Sequence, residues 1–500
     1  MFDTFMSLME PMTFLVILLA TILGIILGAI PGLSGGLGVA LLLPVTFGMP
    51  AEVGIAMLVS IWVGGVSGGL IGSILLGIPG SPSSIATTFD GYPMTRNGQA
   101  VKALGAGITA SFLGTVLSIG VAMALSPVLA KLALKLGPWE YFSLGFCAIS
   151  LVASLSMGSV FLGMASAAFG LLLSTIGFAP IDGYARFTFG SIYLGSGLDL
   201  VALMLGLFAV KQVVSDHARG QQQVPDIDMS DIRGFGVSLG EYRDNAWNII
   251  RSFFIGLWIG FLPGMGAGLS NMVAYAQAKS ASRHPEKFGK GCIDGVFASE
   301  TSNNASVGGS LIPTVALGIP GDGTTAILLG GLMIHGIQAG PLLFTNNPGV
   351  VYALFLTALI AAVLVLFLQY VGMRLFPAIL KIPYHYLYPA VVVLGFVGVF
   401  VGSSTAFNYV LLLAFAALGL IMDRCRLPVG PFILAFILGP MLELNLRRGI
   451  TYTEDGAWLF LTRPASAILL GFALLSIVWP YLAPLLNKLR AARMNPEDRA

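Results

Sequence analysis

The chain has 500 residues, of which 56% are hydrophobic and only 10% charged, with a formal net charge of +2. A soluble domain carries about 25% charged residues, so water is not the main solvent here, and so small a net charge gives no footing for a nucleic-acid partner. Cys147, Cys292 and Cys425 lie far apart without Cys/His clustering, which argues against a disulfide framework or a structural zinc. P-loop, Rossmann and HExxH patterns are absent from the sequence, so no cofactor is expected other than a coupling ion.

The N-terminus has no Lys or Arg ahead of its first apolar run and no small-residue cleavage site after it. That segment is expected to stay in the protein rather than act as a removable signal. Runs such as YALFLTALIAAVLVLFLQY (352–370) are apolar on every face, which suits helices and not the alternating strands of a barrel. In chain order the pattern predicts a re-entrant hairpin over 12–47, interrupted at GAIPGLSGG (28–36), and a helix over 53–95 broken at LGIPGSPSS (76–84). An unbroken apolar run follows at 104–125, then a polar linker over 215–246. A second hairpin is predicted over 247–278 and a second broken helix over 293–340, with further apolar runs at 350–373, 387–403 and 465–486. The predicted fold class is an all-α polytopic membrane protein of about 11 spanning helices plus two hairpins, each span needing roughly 20 residues.

The two halves repeat one another. GIILGAIPGLSGGLG (24–38) returns as GLWIGFLPGMGAGLS (256–270), and GGLIGSILLGIPGSPSS (68–84) as GGSLIPTVALGIPGDGTT (308–325). Gly24, Gly28, Pro31 and Gly32 recur as Gly256, Gly260, Pro263 and Gly264, whereas Ser34 is matched by Gly266. A duplicated pair of Pro/Gly-interrupted apolar segments is the sequence pointer to the binding site of a secondary transporter. The repeats are read as 1–214 and 247–500.

Lys and Arg concentrate on the cytoplasmic side of membrane proteins. The N-terminal tail has none, whereas the central linker carries Arg219, Arg233 and Arg243, and the C-terminal tail Lys488, Arg490 and Arg499. The N-terminus is therefore expected in the periplasm, and the linker and C-terminus in the cytoplasm. Lys279, Arg283, Lys287 and Lys290 put the far end of the second hairpin in the cytoplasm too, while both ends of the first hairpin fall outside. On this count the repeats are inverted. Lys131, Lys135, Arg447 and Arg448 run against it.

Unpaired backbone groups in hydrocarbon cost several kcal/mol each, so breaks at membrane depth persist only where protein or a water-filled cavity satisfies them. Each new half-helix presents free N–H groups and a positive dipole end, suited to a carboxylate. Candidate substrate-binding residues are Gly32, Ser34, Gly35, Gly80, Ser81, Ser83, Ser84, Gly264, Ala267, Asn303, Gly321, Thr324 and Thr325. Thr87, Thr88 and Asn271 extend the same hydroxyl- and amide-rich sequels. Carboxylates deep in apolar segments are costly and point to function. Glu300 and Asp322 qualify, and with Asn304 and Ser270 they are the cation-coupling candidates, a sodium ion being expected near Asp322 and Asn304. Asp90 and Asp199 are read as lying nearer an interface.

Two other functions compete. GLSG (32–35) invites the reading of Ser34 as the nucleophile of an intramembrane serine protease, which needs a histidine within hydrogen-bond reach; the four histidines are His217, His284, His335 and His385. A channel, or a scaffold subunit with no substrate site, is the other alternative, although a channel calls for a continuous lined pore. No enzymatic activity is expected.

At GAIPGLSGGLGVALLLP (28–44), LLGIPGSPSSIATTFDGYPM (75–94), GFLPGMGAGLS (260–270) and ALGIPGDGTTAILLGGLMIHGIQAGP (316–341) the sequence resembles the large membrane subunit of the tripartite tricarboxylate transporter family. The resemblance runs over essentially the whole chain. It implies a multi-pass permease of the bacterial inner membrane with an elevator-like, ion-transporter architecture. It also implies two partners, a small membrane subunit and a periplasmic solute-binding protein, and uptake of carboxylates such as citrate driven by a Na+ or H+ gradient. In a cysteine-free background, Ser282→Cys is expected to react with a membrane-impermeant maleimide only from the cytoplasmic side; labelling confined to the periplasmic side would overturn the orientation.

Overall fold

A computed structural model describes residues 1–155, 159–219, 236–382, 384–403 and 405–493. Residues 220–235 of the segment read as a linker, including Arg233, and the tail from 494, including Arg499, lie outside the described residues. The principal helices are α1 Pro11–Ala29, α2 Gly35–Leu42, α3 Ala51–Leu76, α4 Ile85–Arg96, α5 Ala100–Ala133, α6 Pro138–Leu155, α7 Val160–Ser174 and α8 Leu239–Phe261. They continue as α9 Gly266–Ala281, α10 Ile293–Leu317, α11 Gly323–Ile334, α12 Pro348–Gly372, α13 Tyr384–Ser403, α14 Phe407–Arg424, α15 Val429–Thr451 and α16 Pro464–Arg493. The protein is an all-α multi-pass membrane protein, and 7 helices among the described residues are long and apolar enough to cross a bilayer.

The helix ends follow from local sequence. α3 and α10 both stop at a glycine in left-handed conformation, Gly77 at φ 70° and Gly318 at φ 72°, the conformation that most cheaply ends a helix. α1 and α8 stop at extended residues, Ile30 (φ −77°, ψ 121°) and Leu262 (φ −78°, ψ 123°), ahead of Pro31 and Pro263, because a residue before proline is driven out of the helical region. α8 starts at Leu239, inside the stretch read as linker. Ser238 accepts the Glu241 N–H while Glu241 bonds back to the Ser238 N–H, a capping box strong enough to begin a helix in polar sequence. Lys102 pairs with Glu241 and, by hydrogen bond, holds its carboxyl below the usual range.

The chain divides into two compact units that cut across the sequence repeats, one of residues 1–134 and 199–421, the other of 135–198 and 422–500. In the first unit α3 and α10 are the central helices, with every residue of Gly54–Leu75 and Gly295–Ala316 buried. α1 and α12 pack on α3, and α5, α8 and α9 on α10. α10 carries Glu300, Asn303, Asn304 and a run of Ser and Thr, all buried; sheathed by other helices, it need not be apolar, so it does not number among the hydropathic spans.

Close backbone approach holds both pairs. A Cβ on Gly24 or Gly28 of α1 would overlap the Ile61 or Gly65 carbonyl oxygen of α3, and one on Gly256 or Gly260 of α8 would meet the Ser302 or Ser306 carbonyl oxygen of α10. These are corresponding positions in the two duplicated sequences, and glycine is the residue that lets backbones come so near.

In the second unit α6 packs on α7, α15 and α16, and α7 also packs on α15. Trp139 Nε1 donates to the Gly449 and Gly456 carbonyls at 3.1 and 2.9 Å. Arg463 Nε reaches the buried Glu140 carboxylate at 2.5 Å. Arg186, from a two-stranded ribbon (β1 Gly177–Phe178, β2 Ala185–Arg186), forks onto Glu443 at 2.6 and 2.9 Å. Arg447 bridges Glu443 at 2.9 Å and Asp182 at 3.0 Å, and its hydrogen bond holds the Asp182 carboxyl below the usual range. Arg447, which runs against the positive-inside count, is thus neutralised by two carboxylates.

Gly260→Leu, whose Cβ would stand 2.5 Å from the Ser306 oxygen, is expected to lower stability by about 1–3 kcal/mol. Gly120→Ala on α5, with nothing within 4 Å, should leave stability unchanged or raised by up to about 1 kcal/mol. Thermal unfolding of the detergent-solubilised protein checks both.

Candidate functional site

Four interruptions of helical backbone lie in the first unit: 30–34 between α1 and α2, 77–84 between α3 and α4, 262–265 between α8 and α9, and 318–322 between α10 and α11. Their order in the sequence does not say which meets which. In the folded chain each of the first-half breaks meets the second half. A Cβ on Gly36 would stand 2.9 Å from Thr324 Oγ1 and 3.7 Å from Ser34 Oγ, which sets the first interruption beside the fourth. The third meets the second: Asn271 Nδ2 donates to the Pro82 carbonyl at 3.2 Å and to the Ser83 carbonyl, and a Cβ on Gly268 would lie 3.4 Å from Pro82 Cβ. Within the second half, Gly264 N–H donates to the Gly321 carbonyl at 2.7 Å.

These contacts settle what several sequence candidates do in the fold. Gly80 packs on the Gly28 carbonyl, Gly35 on Gly65, and Gly321 on Ser310 and the Gly260 carbonyl. The Gly321 N–H donates to Thr314 Oγ1 at 3.4 Å, so Gly264 and Gly321 have their backbone groups engaged by protein. Gly32, at φ 87°, turns the chain before α2. Ser34 is the N-cap of α2 and accepts the Leu37 N–H at 3.2 Å. Ser81 and Ser83 share a 2.6 Å hydrogen bond, and Ser84 donates to the Ser81 carbonyl at 3.1 Å. Ser34, Ser81, Ser83, Ala267, Asp322 and Thr324 are all half-buried at the rim of the interruptions, whereas Ser84, Ser270 and Thr325 are buried.

The cation candidates separate into three places. Asp322 N-caps α11 in a capping box, its Oδ1 accepting from the Thr325 N–H at 2.7 Å and the Thr325 hydroxyl at 2.8 Å. Glu300 and Asn304 sit together, one turn apart on α10. The Glu300 carboxylate accepts from Thr87 Oγ1 of α4 at 2.5 Å, Ser111 Oγ of α5 at 3.1 Å and Asn304 Nδ2 at 3.4 Å. Asn304 Nδ2 also donates to Ser111 Oγ at 2.9 Å, and Thr115 Oγ1 to Asn304 Oδ1 at 3.4 Å. Asn303 is fully buried beside the same carboxylate, and neither of its amide atoms finds a hydrogen bond of proper geometry. Ser270 is tied into α10 instead: it donates to the Ser302 carbonyl at 3.3 Å while Ser302 donates to the Ser270 carbonyl at 2.9 Å.

Ser111 and Thr115 escaped the sequence reading because a lone hydroxyl in the apolar run 104–125 looks like packing. The available signal was spacing, since Gly107, Ser111, Gly114 and Ser118 form one small-residue face of α5 that lies on α10. Asp90 is completely buried. Its Oδ1 accepts the N–H groups of Gly289, Gly291 and Cys292 at 2.8, 2.9 and 2.8 Å, and its Oδ2 the Tyr275 hydroxyl at 2.9 Å. Asp199 N-caps a short helix, Leu200–Met204.

The tripartite tricarboxylate transporter TctA family matches residues 14–434 of the sequence. The chain belongs to this family. TctA proteins are the large subunits of tripartite tricarboxylate transporters, so this TctA-family chain is a transporter membrane subunit and not an enzyme. That overturns the protease reading of Ser34, and the geometry gives the reason. The Ser34 oxygen serves as a helix cap, and His217 and His284 are exposed, while His335 ends α11 against Gly54; the His385 side chain lies outside the described residues. Two similar proteins come from Agrobacterium vitis. An uncharacterized 52.8 kDa protein in the TAR-I ttuC' 3' region is 33% identical over 95% of this chain and 93% of its own length. An uncharacterized protein in the TAR-II ttuC' 3' region is 32% identical over 47% of this chain and 96% of its own length. No solved structure matches.

Asparagine caps a helix as well as aspartate does, whereas alanine costs typically about 1 kcal/mol. Asp322→Asn is therefore expected to keep the wild-type Tm and Asp322→Ala to lower it, in thermal unfolding of the purified protein. Equal losses in both would assign Asp322 a role that needs its charge.

Proposed function

We propose that this subunit imports a di- or tricarboxylate anion, citrate-like in size and charge, across the bacterial inner membrane by ion-driven alternating access. The observation that carries the reading is the interlocking of the four interruptions across the two sequence halves, Gly36 against Thr324 and Asn271 against the Pro82 and Ser83 carbonyls. Broken backbone in a membrane is tolerated where it is buried in protein or lines a water-filled cavity, and paired broken segments from two repeats are where transporters bind solute near the midplane. The half-buried hydroxyls of Ser34, Ser81, Ser83 and Thr324 offer neutral donors to carboxylate oxygens, and the starts of α2 and α11 add positive dipole ends.

In this reading 12–47 and 247–278 are re-entrant hairpins, the repeats are inverted, and the N-terminus lies in the periplasm with the C-terminus in the cytoplasm. The bundle carrying the hairpins moves and exposes the site to each side in turn. A periplasmic solute-binding protein delivers the anion, and a small membrane subunit completes the assembly, as in tripartite transporters. The gradient that drives uptake is Na+ or H+. The complex of all three components, reconstituted in liposomes, is expected to accumulate a labelled di- or tricarboxylate saturably under an imposed Na+ or H+ gradient. Non-saturating flux that ignores both gradients would favour a channel, and no flux with any carboxylate would leave a scaffold subunit.

A further inference from the structure

We propose that Glu300, Asn303 and Asn304 of α10 form, with Thr87 of α4 and Ser111 of α5, a binding site for a single sodium ion. The inference rests on the transport reading above and deepens it by placing the coupling ion.

Charge is the first argument. Glu300 is 0% exposed, and among the described residues no Lys, Arg or His forms an ion pair with it. The groups that bond to it, Thr87, Ser111 and Asn304, are all neutral. Several titratable groups on the helices packed round it are engaged elsewhere, and the Arg251 guanidinium of α8 donates to Asn248 Oδ1 at 3.1 Å. Asp90 and Tyr275 bond to one another and to the 289–292 turn, Tyr242 shares a 2.7 Å hydrogen bond with Thr109, and Glu241 pairs with Lys102. An ionised carboxylate deep in a membrane protein calls for a compensating positive charge, and here a bound cation supplies it.

The donor set gives the second argument. Every polar atom round Glu300 apart from the amide nitrogens is an oxygen with a lone pair to offer, and carboxylate, hydroxyl and amide oxygens suit hard cations. A single carboxylate matches one positive charge, whereas sites for divalent ions gather several.

The third observation concerns Asn303. Asn303 lies three residues along α10, beside the Glu300 carboxylate, is 0% exposed, and makes no hydrogen bond of proper geometry with either amide atom. A buried amide is nearly always satisfied. A cation held by Oδ1 supplies the partner that the oxygen lacks, with Nδ2 left toward the Glu300 carboxylate.

The site also links ion to solute. Thr87 is on the first turn of α4, three and four residues beyond the Ser84 and Ser83 of the second interruption. A cation that draws Thr87 toward α10 therefore orders the loop proposed to hold the carboxylate. Asp322, committed to the α11 capping box, lies outside this set.

The test measures binding directly. Purified full-length protein in nanodiscs at pH 7.5 is titrated with 22Na+ in a scintillation proximity assay, with excess NaCl and choline chloride as competitors. Wild-type protein should bind 22Na+ saturably, displaced by NaCl and not by choline chloride. Thr87→Val and Asn303→Leu should each weaken it at least tenfold, Glu300→Gln should abolish it, and Thr87→Ser, which keeps the hydroxyl, should restore near-wild-type binding. Monodisperse gel filtration of each variant establishes folding, and the serine variant covers the case in which valine disturbs packing. Absence of saturable 22Na+ binding, or wild-type binding in both Thr87→Val and Asn303→Leu, would overturn the proposal. So would carboxylate uptake by the reconstituted complex under a pH gradient in sodium-free choline medium, while leaving the transport reading intact. Conversely, sodium binding with no carboxylate flux would sink the transport reading and leave the site.

Discussion

Everything in the first unit depends on one constraint: backbone that has left the helix must still be satisfied in a low-dielectric setting. The chain meets it by bringing main chain against main chain. Gly28 lies on the Gly65 carbonyl and Gly260 on that of Ser306, near enough that a Cβ at either position would collide. With the helices so close, the loops that follow them fall within reach of one another, Gly264 N–H on the Gly321 carbonyl and Asn271 on the Pro82 and Ser83 carbonyls. Pack those helices farther apart by a side chain and the loops lose their partners. Gly28 and Gly260 thus serve the loop contacts as well as helix packing.

The same constraint explains why the duplicated halves resemble each other in backbone and differ in side chains. Gly77 and Gly318 adopt nearly the same left-handed geometry, but one is followed by Ser81 and the other by Asp322. The first half supplies neutral hydroxyls, and the second supplies Glu300, Asn303 and Asn304 on a helix shielded from lipid by α5, α8 and α9.

Much of this was legible in the sequence, because Pro and Gly act locally: the stops at Ile30, Gly77, Leu262 and Gly318 lie within the stretches the motifs mark. Glu300 was legible for a different reason, the cost of a carboxylate among apolar residues. What the sequence hid is non-local. That Thr87 and Ser111 converge on Glu300 depends on three helices crossing, and a hydroxyl in an apolar run carries no mark of its partner. The grouping of 135–198 with 422–500 is likewise invisible to a comparison of halves. The start of α8 at Leu239 was readable in the spacing of Ser238 and Glu241 but obscured by the polar composition around it.

Asp90 gives α4 a second character. This helix begins directly after the 77–84 interruption, and at its middle the Asp90 carboxylate is clasped by Gly289, Gly291, Cys292 and Tyr275. Six residues of helix, Ile85 to Asp90, about 8 Å at 1.5 Å per residue, therefore connect the serine-rich loop of one half to the glycine turn that precedes α10 in the other. So short a strut, pinned at its start and at Asp90, ties the two loops mechanically, and neither shifts far without carrying the other.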